Sequence, residues 1–531
     1  MATKIKKRRS AGSKQRFIGK PNGQIQERVK AVGPEHFGIV SVDCAKRRSK
    51  WMLCNFYGKV VIEPTTVEHT AGGLQAMIVH LRATCASAGL TETIIAIEMT
   101  GIYHRPVQRA FREAGFETRI VHPFASKHYR RVLHPGAKSD DHDLEAIFHA
   151  AVNGYGLAVL PVGETYQLLQ AASRHRGNLV GQRSRLMVQT RHLLHLTMPG
   201  FAELFEDGRL FRQALALPIA LRYPSAATIR EAGTIEIAAW LKREKVRFQT
   251  SSVERVVAWA AVAAEPCELS EIYTRQWRQL NEVRSLLDRQ IADAEREMAG
   301  FLAKTPYVLL LSVPGVNVVS AGCLAGEAGP IEHYGSARAL TGRAGLYPSR
   351  YQSDEVDRAD GPLVRQGNRQ LRGAAMLMAE NLIKCHSHYR GLAALWKQKK
   401  IDPRDCRCRI ANRALRMVYQ LVGGRQVWRG QGVERGYLLL KLQEFHREHQ
   451  TPMDQVIRDL NEAFAWLPRS QYAAEAKPLA ALARRKQRGP RHIGTILAPL
   501  LLRLGVSLSE PVGGEETDRL ESTTSEARRS S

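Results

Sequence analysis

The chain is short of cysteine, of acid and of long apolar runs. Its eight cysteines stand at 44, 54, 85, 267, 323, 385, 406 and 408, too scattered for a disulfide framework, which points to a reducing compartment. The nearest approach to a metal cluster, Cys406-Arg407-Cys408 with His386 and His388 upstream, lacks zinc-finger spacing. The longest apolar runs, around Tyr307–Val313 and Ile496–Leu502, fall far short of the roughly 20 residues that span a bilayer. The N-terminus is basic but has no apolar core, so no secretory signal is expected. These absences predict a cytoplasmic, nucleoid-associated protein without a membrane partner.

Acid is scarce relative to base: 51 Asp+Glu against 78 Lys+Arg leave a formal charge of +27. Dispersed Lys and Arg are rewarded by phosphate neutralisation and counterion release, so nucleic acid is the expected partner. With 44% hydrophobic and 24% charged residues the composition is that of a globular protein, and 531 residues suffice for two or three domains. Glu27 is the only acid in the first thirty residues, beside Lys4, Lys6, Lys7, Arg8, Arg9, Lys14, Arg16 and Lys20; residues 1–34 read as a basic flexible arm.

From His36 the pattern predicts strands Phe37–Asp43, Trp51–Phe56 and Lys59–Glu63, an antiparallel meander through the Tyr57-Gly58 turn. A helix Gly72–Ala88, a strand Thr93–Glu98, a helix Tyr103–Ala114, a strand Glu117–Val121 and helices Ala125–Leu133 and Asp140–Val152 follow. This order over residues 35–160 is that of an α/β, ribonuclease-H-like mixed sheet. Asp43 closes the first strand and Glu98 the fourth, and these strands can be neighbours. Asp140 and Asp143, three apart, share a face of the helix that opens at Lys138-Ser139-Asp140-Asp141-His142-Asp143. Ser139 can cap that helix and first-turn acids favour its dipole, which is the bland reading of the pair. Four acids in one cleft repel unless a divalent cation neutralises them, and hard oxygens select Mg²⁺ or Mn²⁺.

Residues 161–304 read as mainly helical. Leu179, Leu186 and Leu193 repeat by sevens amid Arg174, Arg176, Arg183, Arg185 and Arg191, giving a seam with a basic flank that suits either nucleic acid or solvent. A second helix, about Ser270–Ala303, carries a coiled-coil seam at Leu280, Val283, Leu287, Ile291, Ala294 and Met298, open to self-association or intramolecular packing. Residues about 200–268 look like an inserted helical subdomain. Over 305–430, Val313-Pro314-Gly315-Val316 resembles a helix-hairpin-helix turn whose amides can hold a phosphate. The loop Gly345-Leu346-Tyr347-Pro348-Ser349-Arg350-Tyr351-Gln352-Ser353 is followed by the basic segment Arg365–Arg372 and more helix. Residues 431–531 are expected to form an accessory helical extension and a disordered tail.

Taken together, Val42-Asp43-Cys44-Ala45-Lys46, Ile97-Glu98-Met99-Thr100-Gly101, Lys138-Ser139-Asp140 with Asp143, Val313-Pro314-Gly315-Val316, and Gly345-Leu346 with Arg350-Tyr351-Gln352-Ser353 resemble the Piv-like transposases of the insertion sequence 110 family, in order, over about residues 36–430. The resemblance implies a RuvC-like DEDD domain, a helical linker and a C-terminal helical transposase domain. It implies Asp43, Glu98, Asp140 and Asp143 as catalytic Mg²⁺ ligands and Ser353 as the nucleophile on a DNA phosphate. It also implies a noncoding bridge RNA and a homo-oligomer, dimer or tetramer. Arg350, Arg365, Arg369 and Arg372 are the expected phosphate contacts. Two positions depart from the family pattern, Asp354 and Asn317 standing where Gly is usual. On the acids alone, a RuvC-like junction endonuclease is the alternative, and a catalytically inactive nucleic-acid-binding relative is a third reading.

Overall fold

In the computed structural model, residues 23–158, 162–205, 209–353, 356–358, 361–364, 367–428 and 437–467 are described. The chain divides into two compact units, residues 1–161 and 162–531.

The first unit runs α1 (Gln26–Val32), β1 (Phe37–Cys44), β2 (Arg48–Asn55), β3 (Val60–Glu68), α2 (Ala71–Ser87), β4 (Glu92–Glu98), α3 (His104–Glu113), β5 (Glu117–Val121), α4 (Pro123–Leu133), α5 (Asp140–Val152) and β6 (Gly156–Ala158). The sheet order is β3-β2-β1-β4-β5-β6. β1 is antiparallel to β2 and parallel to β4, β4 is parallel to β5, and β6 closes the edge antiparallel. The expected mixed α/β sheet is therefore present, with β1 and β4 as neighbours.

The central strands bury both faces, so they read as nearly unbroken apolar runs. Val40, Val42, Ile95 and Ile97 pack with Met77 and Leu81 of α2 and Val107 and Phe111 of α3. Ile39, Ile94 and Ala96 pack on the other face with Leu144, Ile147 and Ala151 of α5. The segment expected as a flexible arm is partly folded. Ile25 and Val29 join that second face, Arg28 pairs with Glu117 at 2.7 Å and with Glu92, and Arg119 donates to the Gly23 carbonyl at 2.6 Å. Residues 1–22 lie outside the described residues.

The second unit contains α6 (Glu164–Thr197), α7 (Ala216–Arg222), α8 (Ala226–Arg243), α9 (Thr250–Val262), α10 (Ser270–Ala303), α11 (Val318–Ala328), α12 (Ala337–Arg343), the strand pair β7 (Tyr351–Ser353) and β8 (Val356–Arg358), α13 (Arg369–Cys385), α14 (Ser387–Gln398), α15 (Pro403–Gly423), α16 (Tyr437–Glu448) and α17 (Met453–Phe464). α6 and α10 pair antiparallel, since Arg176 meets Glu295 at 2.6 Å and Arg183 meets Asp288 at 2.9 Å. Leu179, Leu287 and Ile291 are buried between them, so this part of the α10 seam is filled within the chain. Val283 and Leu286 of α10 stay 47% and 45% exposed.

The inserted subdomain has its own core, in which Phe201, Ile219, Ile237, Val253 and Val256 surround Trp277. Beyond the serine-bearing loop, α16 and α17 are part of the main core of this unit. Leu438, Leu439, Leu442, Val456 and Leu460 pack with the buried run Tyr307–Leu311 and with α13 and α15. Residues 429–436 and 468–531, including Arg484–Arg488, lie outside the described residues. No helix among the described residues is long and apolar enough to cross a membrane.

Candidate active site

Three elements bring the sequence-predicted acids together. Val42 of β1 is level with Ile97 of β4, so Asp43 and Glu98, the next residue on each parallel strand, emerge side by side at the strands' C-terminal ends. This is where α/β sheets place their functional groups. α5 begins at Asp140, capped by Ser139, whose Oγ accepts from the His142 amide at 3.2 Å. The cap and the acidic function are thus compatible. Asp43 and Glu98 are half-buried and Asp140 is exposed, whereas Asp143 is only 6% exposed.

The electrostatics record the crowding. Burial raises the Asp43 carboxyl above its ordinary range, with Asp143 and Asp140 adding to the shift and Lys138 opposing it. Burial likewise raises Glu98, reinforced by Asp43 and Asp143 and opposed by a hydrogen bond from Ser126 and by Arg130. Two cations that sequence reasoning missed flank the set. Arg130 of α4 pairs with Asp143 through Oδ1. Lys50 lies opposite Asp43 on β2 and reaches Asp141 at 2.7 Å, giving Asp141 a structural partner. Lys50 was legible from the β1–β2 register; nothing in sequence marked Arg130.

Four hard oxygen donors match a divalent cation by type, and mutual repulsion is what such an ion relieves. Among the described residues, no group of three or more His, Cys, Asp or Glu side chains is gathered closely enough to hold a metal ion. The donors are thus of the type a hard divalent cation takes, but these side chains are not gathered around one point, and one Asp143 oxygen is engaged by Arg130.

Ser353 lies on an exposed hairpin of the second unit. It pairs with Val356, Gln352 with Asp357 and Tyr351 with Arg358, and the stem continues through Pro348 opposite Leu363. The base of this hairpin is clamped. Arg372 donates to the carbonyls of Ala344 at 2.8 Å and Val364 at 2.6 Å, and Asn412 donates to Leu346 at 2.9 Å. Arg372, expected as a phosphate contact, spends these donors inside the fold. Arg350 and Arg369 are exposed, the latter at the first position of α13, while Arg365 and Asp354 lie outside the described residues.

A buried acid also organises this region. Glu327 of α11, 3% exposed, receives Arg174 through both oxygens at 2.6 and 3.0 Å and the Asn368 amide at 2.9 Å. Asn368 in turn caps α13. Preceding it, Gly367 has φ +124°, and a Cβ there would stand 2.9 Å from the Arg343 carbonyl. Arg174, Arg176 and Arg183, which suited nucleic acid or solvent in sequence, are thus paired with acids inside the unit.

The Pro314-Gly315 turn is half-buried, lying close against α13. Gly315 has φ +87°, and a Cβ would meet the Asn381 carbonyl at 2.8 Å. Asn317 and Ser320 form a capping box at the start of α11, which explains Asn317. Lys441 of α16 donates to the carbonyls of Val313 at 2.7 Å and Val316 at 3.0 Å, and burial lowers its pKa to about 7. A neutral amine keeps two N–H donors, enough for both carbonyls. Because the folded pKa lies below the unfolded value, the unfolded chain binds the extra proton between pH ~7 and ~10, and stability rises with pH there. Urea midpoints measured from pH 7 to 9 should climb in the wild type and climb less in Lys441→Met.

A transposase profile of the DEDD, insertion sequence 110 type matches residues 40–199, the segment holding all four acids. A second, described as transposase of the IS116/IS110/IS902 family, matches residues 307–393, which hold Ser353. The chain is 24% identical over 345 residues to the "Probable family 20 transposase" of Pseudomonas aeruginosa, covering 64% of this chain and 87% of that one. It is 25% identical over 186 residues to the "Insertion element IS116 uncharacterized 44.8 kDa protein" of Streptomyces clavuligerus, 35% of this chain and 46% of that one. A third relative, the "Transposase for insertion sequence element IS1328" of Yersinia enterocolitica, is 25% identical over 168 residues, 31% of this chain and 50% of its own length. Two segments of this chain thus match transposase domains of the IS110 type, in the order in which the acidic and serine motifs occur along it.

Proposed function

We propose that this chain is a DNA transposase that breaks and rejoins strands with Asp43, Glu98, Asp140 and Asp143 as ligands of Mg²⁺ or Mn²⁺ and Ser353 as nucleophile. The observation that carries the reading is the meeting of acids from β1, β4 and α5, two of them raised by burial and by one another, within a chain bearing transposase domains. A bound divalent cation there would polarise the phosphate and steady a developing oxyanion.

The chain's own part is positioning and proton handling. The Ser353 Oγ forms a bond to phosphorus as the bond from phosphorus to the leaving sugar oxygen breaks. The serine proton passes to a base, and the leaving oxygen takes up a proton. The phosphoserine conserves the energy of the broken diester, so a hydroxyl of another strand can reverse the step without ATP. Arg130 keeps Asp143 oriented meanwhile, and the clamped stem keeps Ser353 at an exposed turn.

Choice of site is assigned to a noncoding bridge RNA, with the protein supplying charge and chemistry; the +27 charge suits both DNA and RNA. A dimer or tetramer completes this reading, with the exposed Val283 and Leu286 of α10 as its contact. RNA copurified with the protein should map beside its gene when sequenced; an RNA pool no different from that of an unrelated basic protein removes the guide.

The activity itself is read from a donor plasmid carrying the element ends. Wild type should generate new DNA junctions, and Asp43→Ala or Ser353→Ala should generate none. Junctions at wild-type frequency from both variants contradict the reading. Affinity for a 30-base-pair duplex should fall by about 10³-fold or more between 50 and 200 mM salt if six or more phosphates are engaged; an affinity indifferent to salt contradicts the electrostatic part.

A further inference from the structure

At the stem of the serine hairpin lies a pocket of about 670 Å³, lined on one side by Pro348, Gly361 and Leu363 and on the other by Trp396 and three arginines of α15. Arg409, Arg413 and Arg416 are spaced i, i+4 and i+7, so they share a helix face. Their placement is prepared. The guanidinium carbons of Arg409 and Arg413 stand 5.8 and 5.3 Å from the Trp396 ring centroid, and Trp396 is itself 9% exposed, fixed in the core as a platform. All three arginines are exposed, and among the described residues none makes an ion pair with an acid. Asp405 also lines the pocket, leaving positive charge in excess. None of the three lies within the segment matched by the transposase profiles, which ends at residue 393.

We propose that this pocket is a phosphate-binding groove for the DNA strand flanking the phosphate that Ser353 attacks, with Arg409, Arg413 and Arg416 engaging the backbone and Trp396 holding the first two in place. The inference rests on the reading of the chain as a DNA transposase. Planar guanidinium forks suit phosphate oxygens, and cation–π contact orders them without neutralising them. The distance is apt. From Pro348 to Ser353 the hairpin extends five residues, about 16 Å at ~3.3 Å each, roughly five nucleotide steps of a B-form strand. The groove thus lies where a strand entering at Ser353 continues.

The test uses the full-length protein and fluorescein-labelled 25-nucleotide probes, as single-stranded DNA, duplex DNA and RNA of the same sequence, followed by polarisation across a salt series. The triple variant Arg409→Ala/Arg413→Ala/Arg416→Ala should weaken DNA binding at least tenfold and lower the salt slope by about 2 to 3, one counterion term per lost contact. A control triple with the same charge loss on the inserted subdomain, Arg230→Ala/Arg243→Ala/Arg255→Ala, should change affinity less than twofold. Trp396→Ala should weaken binding and Trp396→Phe should restore most of it, with melting temperatures confirming that the variants fold. If the pocket triple behaves like the control while wild type binds DNA, the groove is refuted and the transposase reading stands. Loss confined to RNA also refutes DNA as the occupant. A wild type that binds no DNA removes both.

Discussion

Asp43→Asn is expected to abolish DNA strand cleavage while making the protein more resistant to heat. The two effects come from one cause. Burial and the neighbouring Asp143 and Asp140 raise the folded Asp43 carboxyl above its ordinary range. Above that folded pKa the carboxylate is charged in both states, and the fold bears the cost of burying and crowding it; protonation as pH falls through the folded value removes the cost. Asparagine keeps the shape and removes the charge, so at neutral pH the fold is relieved. On the proposed reading a hard oxygen ligand is lost in the same stroke, and the cleavage rate should fall by at least about 10²–10³-fold, the scale for deleting one preorganised electrostatic group. Melting with and without Mg²⁺ gives a readout independent of activity. The ion should raise the wild-type melting temperature and raise that of Asp43→Asn much less. Equal shifts would take Asp43 out of the ligand set, and a lower melting temperature without metal would contradict the crowding.

Glu327→Ala should be the most damaging single change to the fold of the second unit. Glu327 is almost wholly buried and accepts three donors from two elements, Arg174 of α6 and Asn368 at the cap of α13. Breaking a buried ion pair from one side costs about 3–5 kcal/mol. Because the Arg174 side chain is 44% exposed and can hydrate once released, the lower end, about 3 kcal/mol, is expected. For a unit of this size that is roughly 4–6 °C in melting temperature. Double substitution of Arg174 and Glu327 should cost less than the sum of the singles. A change under 2 °C in Glu327→Ala would mean that the Glu327 network does not hold α6, α11 and α13 together. The loss should also reach the serine hairpin, since Asn368 precedes the Arg372 clamp.

Much of this architecture was legible because the first unit obeys local rules. Alternating strand and helix signals gave a mixed sheet, and Glu117–Val121 and Asp140–Val152 have the bounds their periodicity predicted. β6 escaped because three residues carry no period. The α1 segment escaped because its anchoring is long-range: Ile25 and Val29 are buried only by a sheet assembled later in the chain, and Arg28 finds its acids on β4 and β5. The placement of Asp43 beside Glu98 follows from parallel register, which their positions at strand ends allowed to be foreseen. The charges that balance them were harder to see. Arg130 is one of many basic residues in sequence, and its role depends on the packing of α4 against α5.

In the second unit the seam of α10 was visible, but its occupant was not, since periodicity marks an apolar face without naming what covers it. The basic residues misled for the same reason. Arg372 read as a partner for phosphate, and Arg174, Arg176 and Arg183 as suiting nucleic acid or solvent, yet each donates to acids or carbonyls of its own chain. Arg409, Arg413 and Arg416 did have a signal, their helical spacing in reach of a tryptophan, which only the fold made local.

The central claim, that acids and serine act on one DNA phosphate, is tested most directly by covalent trapping. Purified protein is incubated with end-labelled DNA carrying the element ends and Mg²⁺, quenched in detergent, and resolved on a denaturing gel. Wild type should yield a labelled protein–DNA adduct that a peptide map assigns to Ser353, and both Ser353→Ala and Asp43→Asn should yield none. Cleaved DNA without any adduct, at the same rate in wild type and Ser353→Ala, would contradict the account and leave a nuclease that uses the acids alone.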